Sequence, residues 1–228
     1  MELALLDYCL VPLSLLVMVG YHIWLLHTII KQPTETVVGI HAINRRFWVE
    51  AMMEDPKNGV LAVQSLRNNI MASTLLATTA ILLSSVIAVL MTSRRGVTAF
   101  DLGLGVASQM GFSIKFFSIL VCFLMAFLLT VQSIRYYSHA SILINVPFKK
   151  ISSPYLSVEY VARLVNKGGY FWSLGLRAFY FSFPLFLWIF GPIPMFCTSI
   201  ALVILFFFLD FTVEFRALPT NNVGHTAS

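Results

Sequence analysis

The residues best placed for chemistry are a few ionisable side chains beside long apolar runs. Arg177 precedes the break Gly191-Pro192-Ile193-Pro194, and Asp210 and Glu214 follow it. If the chain folds back between Pro192 and Ile193, Arg177 stands level with residue 208 on the return helix. Asp210 is within one turn of that level, and Glu214 lies one turn deeper on the same face. Arg177 can then pair with Asp210, Glu214 or both. His22, His27, Asn68, Asn69, Arg135 and His139 fall toward the same end of their segments. Charges at membrane depth are costly unless paired or hydrated. The nine residues therefore define a candidate inner polar cluster, which could couple a proton or an ion to transport. The plainer reading is that they anchor topology and staple two helices.

Other chemistries find little support. His22 and His27 are five residues apart, about 140° around a helix, a poor geometry for one shared metal or haem iron. Cys9, Cys122 and Cys197 sit in apolar runs without a CxxC pair, so neither a disulfide scaffold nor a zinc site is expected. There is no Walker loop, HExxH, GxSxG, kinase set or dinucleotide fingerprint. No cofactor, metal or catalytic residue is expected.

The elements that must position these residues are membrane spans. Hydrophobic residues make up 58% of the 228 and charged ones only 11%, with a mean hydropathy of +0.84. A soluble core of this size cannot hide so much apolar surface, which excludes a soluble enzyme. The fold class expected is an all-α integral membrane protein, one multi-span domain over residues 1–217 with a disordered polar tail at 218–228. Apolar runs at Leu3–Ile30, Ile70–Thr92 and Phe112 to about Val131 are each long enough to cross about 30 Å of hydrocarbon. The last block, Ala178–Phe211, is too long for one crossing without severe tilt. Gly191, Pro192 and Pro194 break it. Two readings follow: five spans, with Tyr170–Phe190 and Met195 to about Phe215 as a tight hairpin, or four spans with a long kinked last helix.

Basic residues favour one orientation. Lys31, Arg45, Arg46, Lys57 and Arg67 lie in the first connection, and Arg135, Lys149, Lys150, Arg163, Lys167 and Arg177 in or beside the third. Only Arg94, Arg95 and Lys115 surround the second. The positive-inside rule then places the N-terminus outside or luminal and the two large connections in the cytoplasm. Five spans also place the C-terminus, with Arg216, in the cytoplasm. The net charge of +5 is thus accounted for without nucleic acid. No cleavable signal peptide is expected at Met1-Glu2-Leu3.

Two cytoplasmic segments read as short amphipathic helices. One has the stripe Ile40, Ile43, Phe47 and Ala51 and ends at Asp55-Pro56-Lys57-Asn58-Gly59, after which Val60–Arg67 runs into the second span. The other has Val158, Val161, Ala162 and Val165 and is expected to stop at Gly168-Gly169. Tyr136, Tyr137, Tyr155, Tyr160, Tyr170 and Trp172 flank it as an interfacial aromatic belt. These helices brace the spans or dock anionic lipid headgroups or a cytosolic partner. Ser93–Gly111 reads as a glycine-containing outer loop. On span two, Ser73, Ala77, Ala80, Ser84 and Ala88 form a helix-packing stripe, with Thr74, Thr78, Thr79 and Ser85 adding hydroxyls.

Several stretches together resemble a known family. They are Arg46-x-Trp48, Gln64-x-x-Arg67-Asn68, Asn166-x-Gly168 before Phe171-Trp172, Arg177-Ala178-Phe179-Tyr180-Phe181-Ser182-Phe183-Pro184, and Trp188-Ile189-Phe190-Gly191-Pro192. The chain resembles the "domain of unknown function 599" family over about Leu6 to Arg216, its plant branch best. The resemblance implies an integral membrane protein and brings no activity or functional residues. Function is expected to be that of a non-catalytic membrane scaffold or lipid-associated regulator. The alternative is a transporter- or channel-like protein built on the inner cluster, which with so few spans would need to form a homo-oligomer.

Overall fold

A computed structural model describes residues 2–101, 106–146 and 157–211. Among the described residues the regular structure is all helix, apart from one isolated bridge between Thr36 and Phe211. The helices are α1 (Glu2–Lys31), α2 (Val37–Glu54), α3 (Gly59–Asp101), α4 (Val106–Leu143), α5 (Val158–Leu187) and α6 (Pro192–Asp210), with single 3-10 turns at Pro33–Glu35 and Pro56–Asn58. Four helices are long and apolar enough to cross a membrane, within Asp7–Lys31, Pro56–Ser93, Gly111–Leu143 and Pro192–Asp210. Their outward faces are apolar: Leu16, Ile23, Leu75, Leu82, Phe117 and Phe208 are all exposed. Lipid is the solvent that suits such a surface.

The polar residues sit at helix ends for local reasons. Thr36 caps α2, its Oγ1 accepting from the Gly39 N–H at 3.2 Å and donating to the Pro33 carbonyl at 3.2 Å. Asp55 closes the next turn by accepting from the Lys57 N–H at 2.9 Å. Ser157 opens α5 by accepting from the Tyr160 N–H at 3.1 Å. Between α5 and α6, Gly191 takes φ 146°, ψ 171°, a region essentially closed to side chains. Pro192 follows at the first helical position, where its missing N–H costs nothing.

Specific contacts fix the packing order. The Ser73 and Ser133 hydroxyls meet at 3.3 Å between α3 and α4, and Ser133 Oγ donates to the Gly168 carbonyl on α5 at 2.8 Å. Farther along, Gly175 packs on Thr130 and Phe179 on Phe123 at 5.5 Å. Trp188 meets Lys115 beyond them. Falling α4 numbers against rising α5 numbers mean that α5 runs antiparallel to α4 over its length. α1 runs parallel to α6, joined by Tyr21 to Asp210 and by Trp24 to Phe211 at 5.0 Å.

Four expectations need correction. First, Gly168-Gly169 does not stop a helix, because α5 continues through both. A Cβ at Gly168 would lie 2.9 Å from the Tyr137 ring, and one at Gly169 would overlap the Arg45 guanidinium. Close helix contact offsets a propensity cost of about 1 kcal/mol per glycine. Second, Ser93–Gly111 is not one loop. α3 extends to Asp101 and α4 begins at Val106, with Gly103 and Gly105 outside the described residues. Third, the α2 stripe faces the other way. Val49 and Met53 are buried with Gly39, while Ile43 and Phe47 are exposed. The spacing was sound, but Trp48, Val49, Met52 and Met53 form a second apolar face that packs on the bundle. Fourth, Tyr137 is buried in that core instead of joining an interfacial belt, and Tyr136 stacks on Phe171 at 5.4 Å. Tyr155 and the expected tail at 218–228 lie outside the described residues.

Candidate functional site

Asp210 ends α6 and is almost fully buried, at 5% exposure. Its Oδ2 accepts from the Tyr21 hydroxyl at 2.7 Å, and its Oδ1 is ion-paired with Arg177 Nη2. Arg177 Nη1 stands 3.4 Å from His22 Nε2. His22 Nδ1 lies 2.8 Å from the Met18 carbonyl. A carbonyl only accepts, so Nδ1 carries the proton. A guanidinium only donates, so Nε2 offers its lone pair. Those partners assign the neutral Nδ1–H tautomer.

An aromatic shell encloses this clasp. The Arg177 guanidinium lies over the Phe206 ring at 5.2 Å. Phe206 also meets His22 at 5.6 Å and Tyr180 at 5.6 Å, both edge-on, and His22 packs on Phe181 at 5.0 Å. The ring face favours the cation, and the low-dielectric shell strengthens each bond within it. Each ionisable group of the arrangement has at least one partner. Each carboxylate oxygen has a donor, the imidazole has both partners, and the arginine contacts a carboxylate, an imidazole and a ring.

The structure thus brings together His22, Arg177 and Asp210 from the expected cluster. Glu214 lies outside the described residues. His27, Asn68, Arg135 and His139 are exposed and apart from the clasp, while Asn69 borders a separate cavity beside α2. The stripe Ser73, Ala77, Ala80 and Ser84 is buried, with Ala88 partly so. Thr74, Thr78 and Ser85 are exposed, and with Thr79 each hydroxyl bonds the carbonyl four residues back. A hydroxyl satisfied within its own turn is a poor lining for a conduction path. Among the described residues, no group of three His, Cys, Asp or Glu side chains could hold a metal ion.

Sequence reasoning missed Tyr21 and a second polar knot. At the opposite end of the bundle Lys115 Nζ donates to the Trp188 carbonyl at 3.0 Å and lies 5.1 Å from the ring centre. Trp188 Nε1–H donates to Asp7 Oδ1 at 3.1 Å. Asp7 was readable as the one acid inside the Leu3–Ile30 run. Tyr21 shares a helical face with Met18 and Leu25, both buried on α6.

Four helices long and apolar enough to cross a membrane, in a bundle tied at both ends by polar knots, define the class as an integral membrane protein. The model of the family described as "Protein of unknown function, DUF599" matches residues 9–215, and the chain belongs to that family. No curated protein and no solved structure matches it.

Proposed function

We propose that the protein is a non-catalytic membrane scaffold or lipid-associated regulator, of the plant-branch type within its family, that crosses the bilayer five times. The observation that carries this reading is the mutual pairing within the clasp. A site that cycles a proton or an ion needs a group left free to take it, and Tyr21, His22, Arg177 and Asp210 are all committed to one another. The fifth crossing is α5. Its charges Glu159, Arg163 and Lys167 fall in the first turns, and Arg177, farther along, is paired with Asp210. Beyond them, from Gly168 to Trp188, it tracks α4 from Ser133 to Lys115, within the apolar stretch of that helix. With the N-terminus outside, α2 and the end of α6 share the cytoplasmic side. There the exposed Phe47 and Arg46 present an apolar and basic surface to anionic headgroups.

Reconstitution tests this. Proteoliposomes holding the wild-type chain should show no proton or alkali-cation flux above protein-free vesicles. Flux that Asp210→Asn abolishes in a protein that still folds would overturn the scaffold reading and support the transporter alternative, for which a homo-oligomer is then expected.

A further inference from the structure

A second polar region has no role in the clasp. A cavity of about 300 Å³ opens where α2, α3, α4 and α5 meet. Arg45 lines it, and Arg45 Nη1 is buried without a hydrogen-bond partner among the described residues. The guanidinium is seated against Gly169, where any side chain would displace it. Next to it in sequence, Arg46 is paired with Glu159 at 3.1 Å, so the one acid that α5 offers nearby is already taken. The lining holds one fixed cation, no carboxylate, and the polar groups of His41, Ser65 and Asn69. Trp48, Tyr137 and Trp172 form aromatic walls. His41 and Asn69 are exposed and mark the mouth.

We propose that this cavity binds the phosphate of a phosphate ester, with Arg45 as the principal contact. An arginine fork matches phosphate oxygens, and a buried guanidinium nitrogen with no acceptor is costly to maintain. The volume is at the lower bound of ligand pockets, enough for a headgroup but not for acyl chains. Tryptophan-walled polar cavities at the rim of a membrane bundle stand at headgroup depth. The ester is the headgroup of a phosphatidic-acid-type lipid or a soluble phosphomonoester; both present the same phosphomonoester anion. This deepens the lipid-associated reading above and rests on it for the source of the phosphate, though not for the site itself.

The test uses the full chain purified in detergent, with native mass spectrometry and tryptophan emission as readouts. The probes are short-chain phosphatidic acid, phosphatidylcholine and glycerol phosphate. Wild type should bind phosphatidic acid or glycerol phosphate and shift the emission of Trp48 and Trp172. Preference for the lipid identifies a headgroup site, and equal binding identifies a phosphomonoester site. Arg45→Gln should weaken binding by about tenfold or more, the scale of one charge-assisted hydrogen bond. Lys31→Gln, which removes an exposed charge outside the lining, should leave it unchanged. Equal loss in both variants, no loss in Arg45→Gln, or no binding by wild type would each overturn the proposal. If Arg45→Gln does not fold, the emission shift in wild type and its loss in Trp48→Phe carry the same decision. Flux in proteoliposomes alongside intact phosphate binding would remove the scaffold reading and leave the pocket standing.

Discussion

Asp210→Asn should lower stability by roughly 3–5 kcal/mol, the scale for breaking a buried ion pair from one side. The substitution keeps the shape of the side chain and removes its charge, leaving Arg177 cationic at 13% side-chain exposure. Arg177→Met should cost a similar amount, by stranding the carboxylate beside Tyr21. The double variant Arg177→Met/Asp210→Asn should recover more than half of the loss, because no unpaired charge remains. Thermal unfolding of the detergent-purified chain measures all three. Losses that simply add would mean that the two side chains do not act as a pair. The clasp joins α1 and α6 through Tyr21 and α5 through Arg177, so the single variants should also loosen the ends of all three helices.

Gly39→Ala should be the most damaging glycine substitution, at roughly 2–3 kcal/mol. A Cβ there would overlap the backbone of Pro33, which cannot swing aside as a flexible side chain does. The turn before α2 would have to open, and α2 would lose its Thr36 cap. Thr36 is fully buried and bridges Phe211, so the strain passes to the end of α6. By contrast, Gly20 and Gly111 face open space, and alanine there should be neutral or mildly stabilising. Unfolding midpoints of the three alanine variants settle the order; an unchanged midpoint for Gly39→Ala would contradict it.

The features legible in the sequence were those governed by local rules. Apolar run length gave the membrane class, and Gly191-Pro192 marked the end of one helix and the start of the next within a few residues. Counting equal distances from that break brought Arg177 level with Asp210. What escaped was decided by neighbours distant in sequence. Gly168-Gly169 looks like a helix stop until Tyr137 and Arg45 need the space. The α2 stripe Ile43 and Phe47 has good periodicity, yet Val49 and Met53 face the larger apolar surface. Tyr21 was passed over because a tyrosine in a span is unremarkable until an aspartate from another helix ends beside it. The isolated histidine pair misled in part: His22 closes the clasp, while His27, five residues on, turns outward as the helical angle requires.

The proposed five-crossing topology requires Lys57 and the chain end after Ser228 to lie on one side of the bilayer, with α5 crossing between the sides. Cysteine labelling in sealed, right-side-out vesicles tests this most directly, in a chain whose Cys9, Cys122 and Cys197 are first changed to serine. A cysteine at position 57 and one placed after Ser228 should react with an impermeant maleimide only after permeabilisation, and one at position 103 before it. Labelling of positions 57 and 228 from opposite sides would mean four crossings, and would contradict the shared cytoplasmic side on which the proposed lipid surface depends.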